Sequence, residues 1–208
     1  MVKDRATVYT SVPVLCPGGT VVCLGGGPSL TQEDVNHCHG KATVVAINDA
    51  WRLAPWADAL IASDAAWWRH YQGVPAYRGL KFSLEPGASV FAGVTVLRNT
   101  GDSGLETDPT GVRTGRNTGA AAINLAVHFG AKRIVLLGYD MEAKSEAKSH
   151  WFGGHPRGLR GGSPYPLFRQ MIGTMVEPLA RAGVEVVNCS PDTALTCFPR
   201  QPLREVLL

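Results

Sequence analysis

Thr20-Val-Val-Cys-Leu24 followed by Gly25-Gly-Gly-Pro-Ser29 is the stretch on which the fold turns. Five mostly apolar residues stop at three consecutive glycines, the pattern of a buried strand that ends in a tight turn. A short helix is expected from Leu30 to about His39, capped by Ser29 or Thr31. The same alternation continues along the chain. Ala42–Ile47 and Asp58–Ser63 read as buried strands stopped by Asn48 and Asp64, and Ala65–Tyr71 reads as a helix. Leu80–Leu84 and Ser89–Leu97 are weaker strands. Thr118–Phe129 places Ala121, Ala122, Leu125, Ala126 and Phe129 on one side and is stopped by Gly130, the signature of a helix. Arg133–Leu137 is a strand closed by Gly138-Tyr-Asp140; Leu167–Ala182 is a helix capped by Gly183, and Val184–Val187 is the last strand.

Strands that are apolar on both faces, alternating with helices, predict an α/β fold: a Rossmann-like, doubly wound, mostly parallel sheet with helices on both faces. The 208 residues suit one nucleotide-binding domain over 1–208. Long polar loops are expected at about 98–117 and 141–164, the first either functional or mobile.

Composition narrows the class. With 45% hydrophobic and 18% charged residues the chain is not disordered. It has no apolar run of membrane-spanning length and no apolar leader after Met1, so a cytoplasmic protein is expected. Five cysteines without a C-x-x-C read as reduced thiols. A net charge of +3 and the lack of a binding motif argue against nucleic acid as a partner. Residues 113–169 nonetheless hold nine basic side chains against three acidic ones, an excess suited either to a phosphate-bearing ligand or to a solvated face. Oligomeric state, a homo-oligomer included, is left open.

In a parallel sheet the strand ends share one crevice. Gly25, Gly26, Gly27, Pro28, Ser29, Asn48, Asp64, Thr118, Gly119 and Asp140 all fall at such ends. Glycines let backbone N–H groups approach an anion, and a helix start adds positive potential. Asn48 suits a base edge or sugar hydroxyl, and Asp64 can accept from ribose; each is equally the kind of residue that caps a helix. The third glycine and the acidic residue of a dinucleotide fingerprint are missing, since Leu30 and Asn48 stand there. Ser149-His-Trp-Phe-Gly-Gly-His155 carries two histidines able to act as general base near neutrality. No set of metal ligands at a known spacing accompanies them. His37-Cys-His39 reads as structural, because adjacent side chains diverge on a helix. The five tryptophans, 51, 56, 67, 68 and 151, read mainly as core.

Gly25-Gly-Gly-Pro-Ser-Leu30 with Ala46-Ile-Asn48 resembles the G-x-G-P-S-L motif and later Asn of bacterial sialyltransferases of glycosyltransferase family 42. Asn117-Thr-Gly119, Lys132–Asp140, the Ser149–His155 segment and Val187-Asn-Cys-Ser-Pro191 are similar to further parts of that family. The resemblance implies a nucleotide-sugar donor, CMP-type favoured, held by the Gly25–Ser29 turn, by Asn48 and Asp64 at ribose and phosphate, and by Thr118 and Gly119. It implies a histidine base. The segment here is one residue longer than the family's; the resemblance implies His155 as that base, with His150 as the alternative. The family's phosphate tyrosines follow its G-x-D; here 141–148 holds none, Tyr139 and Tyr165 are nearest, and Arg157 and Arg160 supply charge instead.

The G-x-G-P-S-L and L-x-G-x-D pattern is also similar to archaeal 6-hydroxymethylpterin diphosphokinase-like proteins, and short chains of this type are similar to phage-encoded ones. That resemblance implies an alternative, an ATP-dependent pyrophosphokinase in which Asp64 and Asp140 hold Mg²⁺. A nucleotide-binding module without catalysis is the third possibility. The acceptor is not named by the sequence.

Overall fold

The computed structural model describes residues 9–142, 150–154, 159 and 163–208. Seven strands form one sheet in the order β5-β4-β3-β2-β1-β8-β9. They are β1 Thr20–Leu24, β2 Thr43–Ile47, β3 Ala59–Ile61, β4 Leu80–Ser83, β5 Val94–Val96, β8 Arg133–Leu137 and β9 Glu185–Asn188. Every pairing is parallel. The expected Rossmann-like α/β architecture is thus the observed one.

Side chains alternate across the sheet and feed two cores. Val21 and Cys23 of β1 pack on one face with α3 (Thr118–His128), α4 (Tyr165–Gly173) and α5 (Val176–Arg181). Val22 and Leu24 pack on the other with α1 (Gln32–Cys38), α2 (Ala65–His70) and α6 (Leu203–Val206). Burial of both faces explains the unbroken apolar runs.

Three expectations change. Ser89–Leu97 yields only the short edge strand β5, because a 3-10 turn at Pro86–Ala88 and positive φ at Gly93 (75°) bend the chain before it. The helix expected over Leu167–Ala182 is two helices, α4 and α5. The Thr174 hydroxyl bonds back to Met171 O (2.6 Å), and Pro178 has no N–H with which to continue the ladder to Thr174. The 98–117 stretch is not bare loop. It contains a two-stranded parallel ladder, β6 Arg98–Asn99 against β7 Gly111–Val112.

Asn124 of α3 holds that stretch in place. It is fully buried, accepts N–H from Glu106 (2.8 Å) and Arg113 (3.0 Å), and donates to Glu106 O (3.0 Å). All five cysteines are free thiols. Among the described residues no helix is long and apolar enough to cross a membrane.

Candidate functional site at the switch point

Strand order reverses between β1 and β8, so the connections that follow them lead to opposite sides of the sheet and leave a crevice at their carboxyl ends. Gly25 N–H donates to Leu137 O (2.7 Å) and Gly27 N–H to Gly138 O (2.8 Å), which zips the two strand exits together. A side chain at position 27 would meet Gly138 O at 2.6 Å and would also overlap the Asp140 carboxylate. Only glycine permits this approach.

The chain then turns so that Ser29 faces Asp140. Ser29 N–H donates to Oδ2 (2.8 Å) and its hydroxyl to Oδ1 (2.6 Å). Asp140 is 2% exposed; burial pushes its carboxyl up, and the two bonds from Ser29 pull it back. Thr31, and not Ser29, caps α1, by accepting from Asp34 N–H (3.1 Å).

A cavity of about 280 Å³ opens over these ends. Gly25, Gly26 and Gly27 line one side of it, and Asn48, Asp64, Thr118, Gly119 and Asp140 complete a polar wall. Eight of the ten strand-end residues singled out from sequence therefore converge. Pro28 and Ser29, expected under a nucleotide, are not among the described residues that line it. The N–H groups of Gly25, Gly27, Ser29 and Leu30 donate to protein acceptors.

Asn48 adopts φ 49°, a left-handed conformation in which Asn is enriched. It opens a 3-10 turn over Asn48–Arg52 that is tied to α2 through Asp49. Asp49, 1% exposed, accepts from Trp67 Nε1 (3.1 Å) and from the Tyr71 hydroxyl. Burial first, then this carboxylate, raise the Tyr71 phenol to about 12. Asp64 occupies the N-cap position of α2 without making a side-chain capping bond, and Glu85 Oε2 takes the Ala65 N–H instead (2.7 Å).

The start of α3 borders the cavity. The Asn117 side chain caps Ala120 N–H (2.9 Å), and the Thr118 hydroxyl lies 2.9 Å from that of Ser63. The Thr118 and Gly119 N–H groups have no intrahelical partner and border the cavity at the positive end of the helix dipole. Tyr139 props this helix start from below. It is 1% exposed and donates its hydroxyl to Gly119 O (3.0 Å).

His150 lines the cavity, its Nδ1 3.3 Å from Gly26 O, and Trp151 N–H donates to the same carbonyl (3.2 Å). A carbonyl can only accept, so Nδ1 is the donor in this contact. Arg52 lies over the Trp151 ring at 5.5 Å. His155, Arg157 and Arg160 lie outside the described residues.

Of the basic excess, Arg113, Arg116 and Arg133 pair with Glu106, Asp102 and Glu185, and only Arg116 among them lines the cavity. The remaining histidines have structural partners. His37 donates to Leu207 O (2.7 Å), His39 stacks on Trp56, His70 meets Tyr71 edge-on, and His128 bonds Gly111 O. Among the described residues no three His, Cys, Asp or Glu side chains gather as a metal ion would need. Phe152, Tyr165 and Phe168 also line the cavity and were not read as site residues from sequence. The i, i+3 spacing of Tyr165 and Phe168 was the available signal.

No family model and no curated protein matches the chain. Among solved structures, one of the sialyltransferase CstII from Campylobacter jejuni, in complex with a substrate analogue, cytidine-5'-monophosphate, is similar in fold. The TM-score is 0.56 at 14% identity, over 90% of this chain and 86% of that one. The sheet and helices therefore share the sialyltransferase-like arrangement.

Proposed function

We propose that the protein is a nucleotide-dependent transferase of the glycosyltransferase type, using a nucleotide-sugar donor. The observation that carries this reading is the cavity at the switch point. Asn48, Asp64 and Asp140 line it together with the Thr118–Gly119 helix start, which supports a phosphorylated nucleoside as its ligand. The likeness to a sialyltransferase in complex with CMP supports a CMP-type ligand. The α3 N-terminus would stabilise the charge that develops on the leaving phosphate.

His150 Nε2 would accept the proton of an acceptor hydroxyl. As that oxygen bonds to the sugar carbon, the carbon's bond to the nucleotide phosphate breaks and its electron pair leaves with the phosphate. His155 remains the alternative base.

Thermal stability measured with CMP, CDP, UDP, GDP and ATP, each with and without Mg²⁺, tests the reading. A ligand at 100 times its Kd adds about 2.7 kcal/mol. Stabilisation by CMP or a CMP-sugar is expected. Stabilisation by ATP alone, and only with Mg²⁺, would replace this reading with a pyrophosphokinase. His150→Ala is expected to keep nucleotide binding and abolish transfer; binding without transfer in the native protein would leave a non-catalytic module.

A further inference from the structure

Asn48 and Asp64 reach the cavity from two separate elements, the Asn48–Arg52 turn and the start of α2, and one buried carboxylate joins those elements. Asp49 is 1% exposed, and each of its oxygens takes a donor from the α2 side. Oδ2 accepts from Trp67 Nε1 (3.1 Å), and Oδ1 accepts from the hydroxyl of Tyr71, the C-cap residue. Trp67 and Tyr71 are four residues apart, so both donors come from one face of the helix. Trp51 of the same turn meets the Tyr71 ring edge-on, with centroids 6.0 Å apart at 82°. Arg52 Nη1 lies 3.8 Å from Oδ1.

Asn48, the residue before this anchor, opens the turn at φ 49° and lines the cavity. A left-handed residue other than glycine keeps that sparsely populated conformation only where its surroundings hold it. Resting on the transferase reading above, we infer that Asp49 is a positioning residue for the nucleotide site, fixing the left-handed turn that presents Asn48 to the ligand. Both of its oxygens are taken by protein donors, so it acts through Asn48 and not by contact with the ligand. Asp49→Asn keeps the shape but turns one oxygen into an N–H donor, which leaves one of the two α2 donors without an acceptor.

Calorimetric titration with CMP tests this on the native protein, Asp49→Asn, Asn48→Ala and the double variant. Asp49→Asn should weaken CMP by about tenfold, and Tyr71→Phe, which removes one donor and keeps the ring, by about threefold. In the Asn48→Ala background each of these losses should shrink to less than about twofold, because nothing remains for Asp49 to present. A purely structural Asp49 would weaken CMP by the same factor in both backgrounds, and that result would overturn the inference. Unchanged CMP affinity in both Asp49→Asn and Tyr71→Phe would overturn it as well. If Asp49→Asn does not fold, Tyr71→Phe carries the same comparison. Hydrogen exchange gives a readout without ligand. The Leu53 and Ala54 N–H groups bond Ala50 O (3.1 Å each) and should exchange faster in Tyr71→Phe, while the amides of β2 stay unchanged. Failure of every nucleotide to bind the native protein would sink the transferase reading. Faster exchange at Leu53 and Ala54 would then still support the anchoring of the turn, and unchanged exchange would overturn it.

Discussion

The Gly25–Ser29 turn and the 98–117 stretch are both irregular, and each is held by one buried polar side chain from a distant element. Asp140 holds the turn by accepting two hydrogen bonds from Ser29. Asn124 holds the long stretch by bonding the backbone of Glu106 and Arg113. The anchors differ in charge and in place. Asp140 is ionisable and lines the cavity, whereas Asn124 is neutral and has no contact with it. Burying an ionisable carboxyl is costly unless it is hydrogen-bonded, as Ser29 bonds Asp140; a neutral amide satisfies several backbone groups without that penalty. The turn also leans on sterics, for its glycines pass within contact of Gly138 and Asp140.

Breaking the steric half of the contrast should cost most. Gly27→Ala forces a methyl into Gly138 O and the Asp140 carboxylate, and should destabilise the protein by about 3 kcal/mol or more, read as a fall in the urea midpoint. Asn124→Ala strips the acceptor from two backbone N–H groups and should cost about 2 kcal/mol. Hydrogen exchange should rise across 98–117 in that variant and stay unchanged at the Gly25–Ser29 turn. An equal rise at both places would show that the two anchors are not independent.

The smallest effect is a pH dependence on the Asn124 side. Burial holds the His128 imidazole below its ordinary value, with the bond to Gly111 O (2.8 Å) opposing. The unfolded chain therefore takes up the proton more readily. Stability from this group is complete above the unfolded value near 6.5 and is lost as pH falls from there toward the folded value. The urea midpoint should be lower at about pH 5.5 than at about pH 7.5, by less than about 1 kcal/mol in stability, and His128→Gln should shrink the difference. An opposite slope in that comparison would contradict the burial of His128.

The β1 strand was legible to the residue, because a continuous apolar run that stops at glycines has few other readings. The convergence of Asn48, Asp64, Thr118 and Asp140 was legible too, since parallel strands must send their carboxyl ends to one edge. The task of each residue was not. Ser29, expected in the turn under a nucleotide, bonds Asp140, and Tyr139 supports α3 through Gly119 O; neither bond shows in the sequence. Asn124 carried no signal, being one polar residue inside an apolar helix face.

Periodicity and glycine placement are local, and the sequence alone thus determined the strands, the parallel sheet and the edge where polar residues gather. Which of those residues line the cavity, and which is consumed by a partner up to 111 residues away, was decided by the tertiary structure. A hydrogen bond depends on positions in space, and spacing along the chain does not encode them.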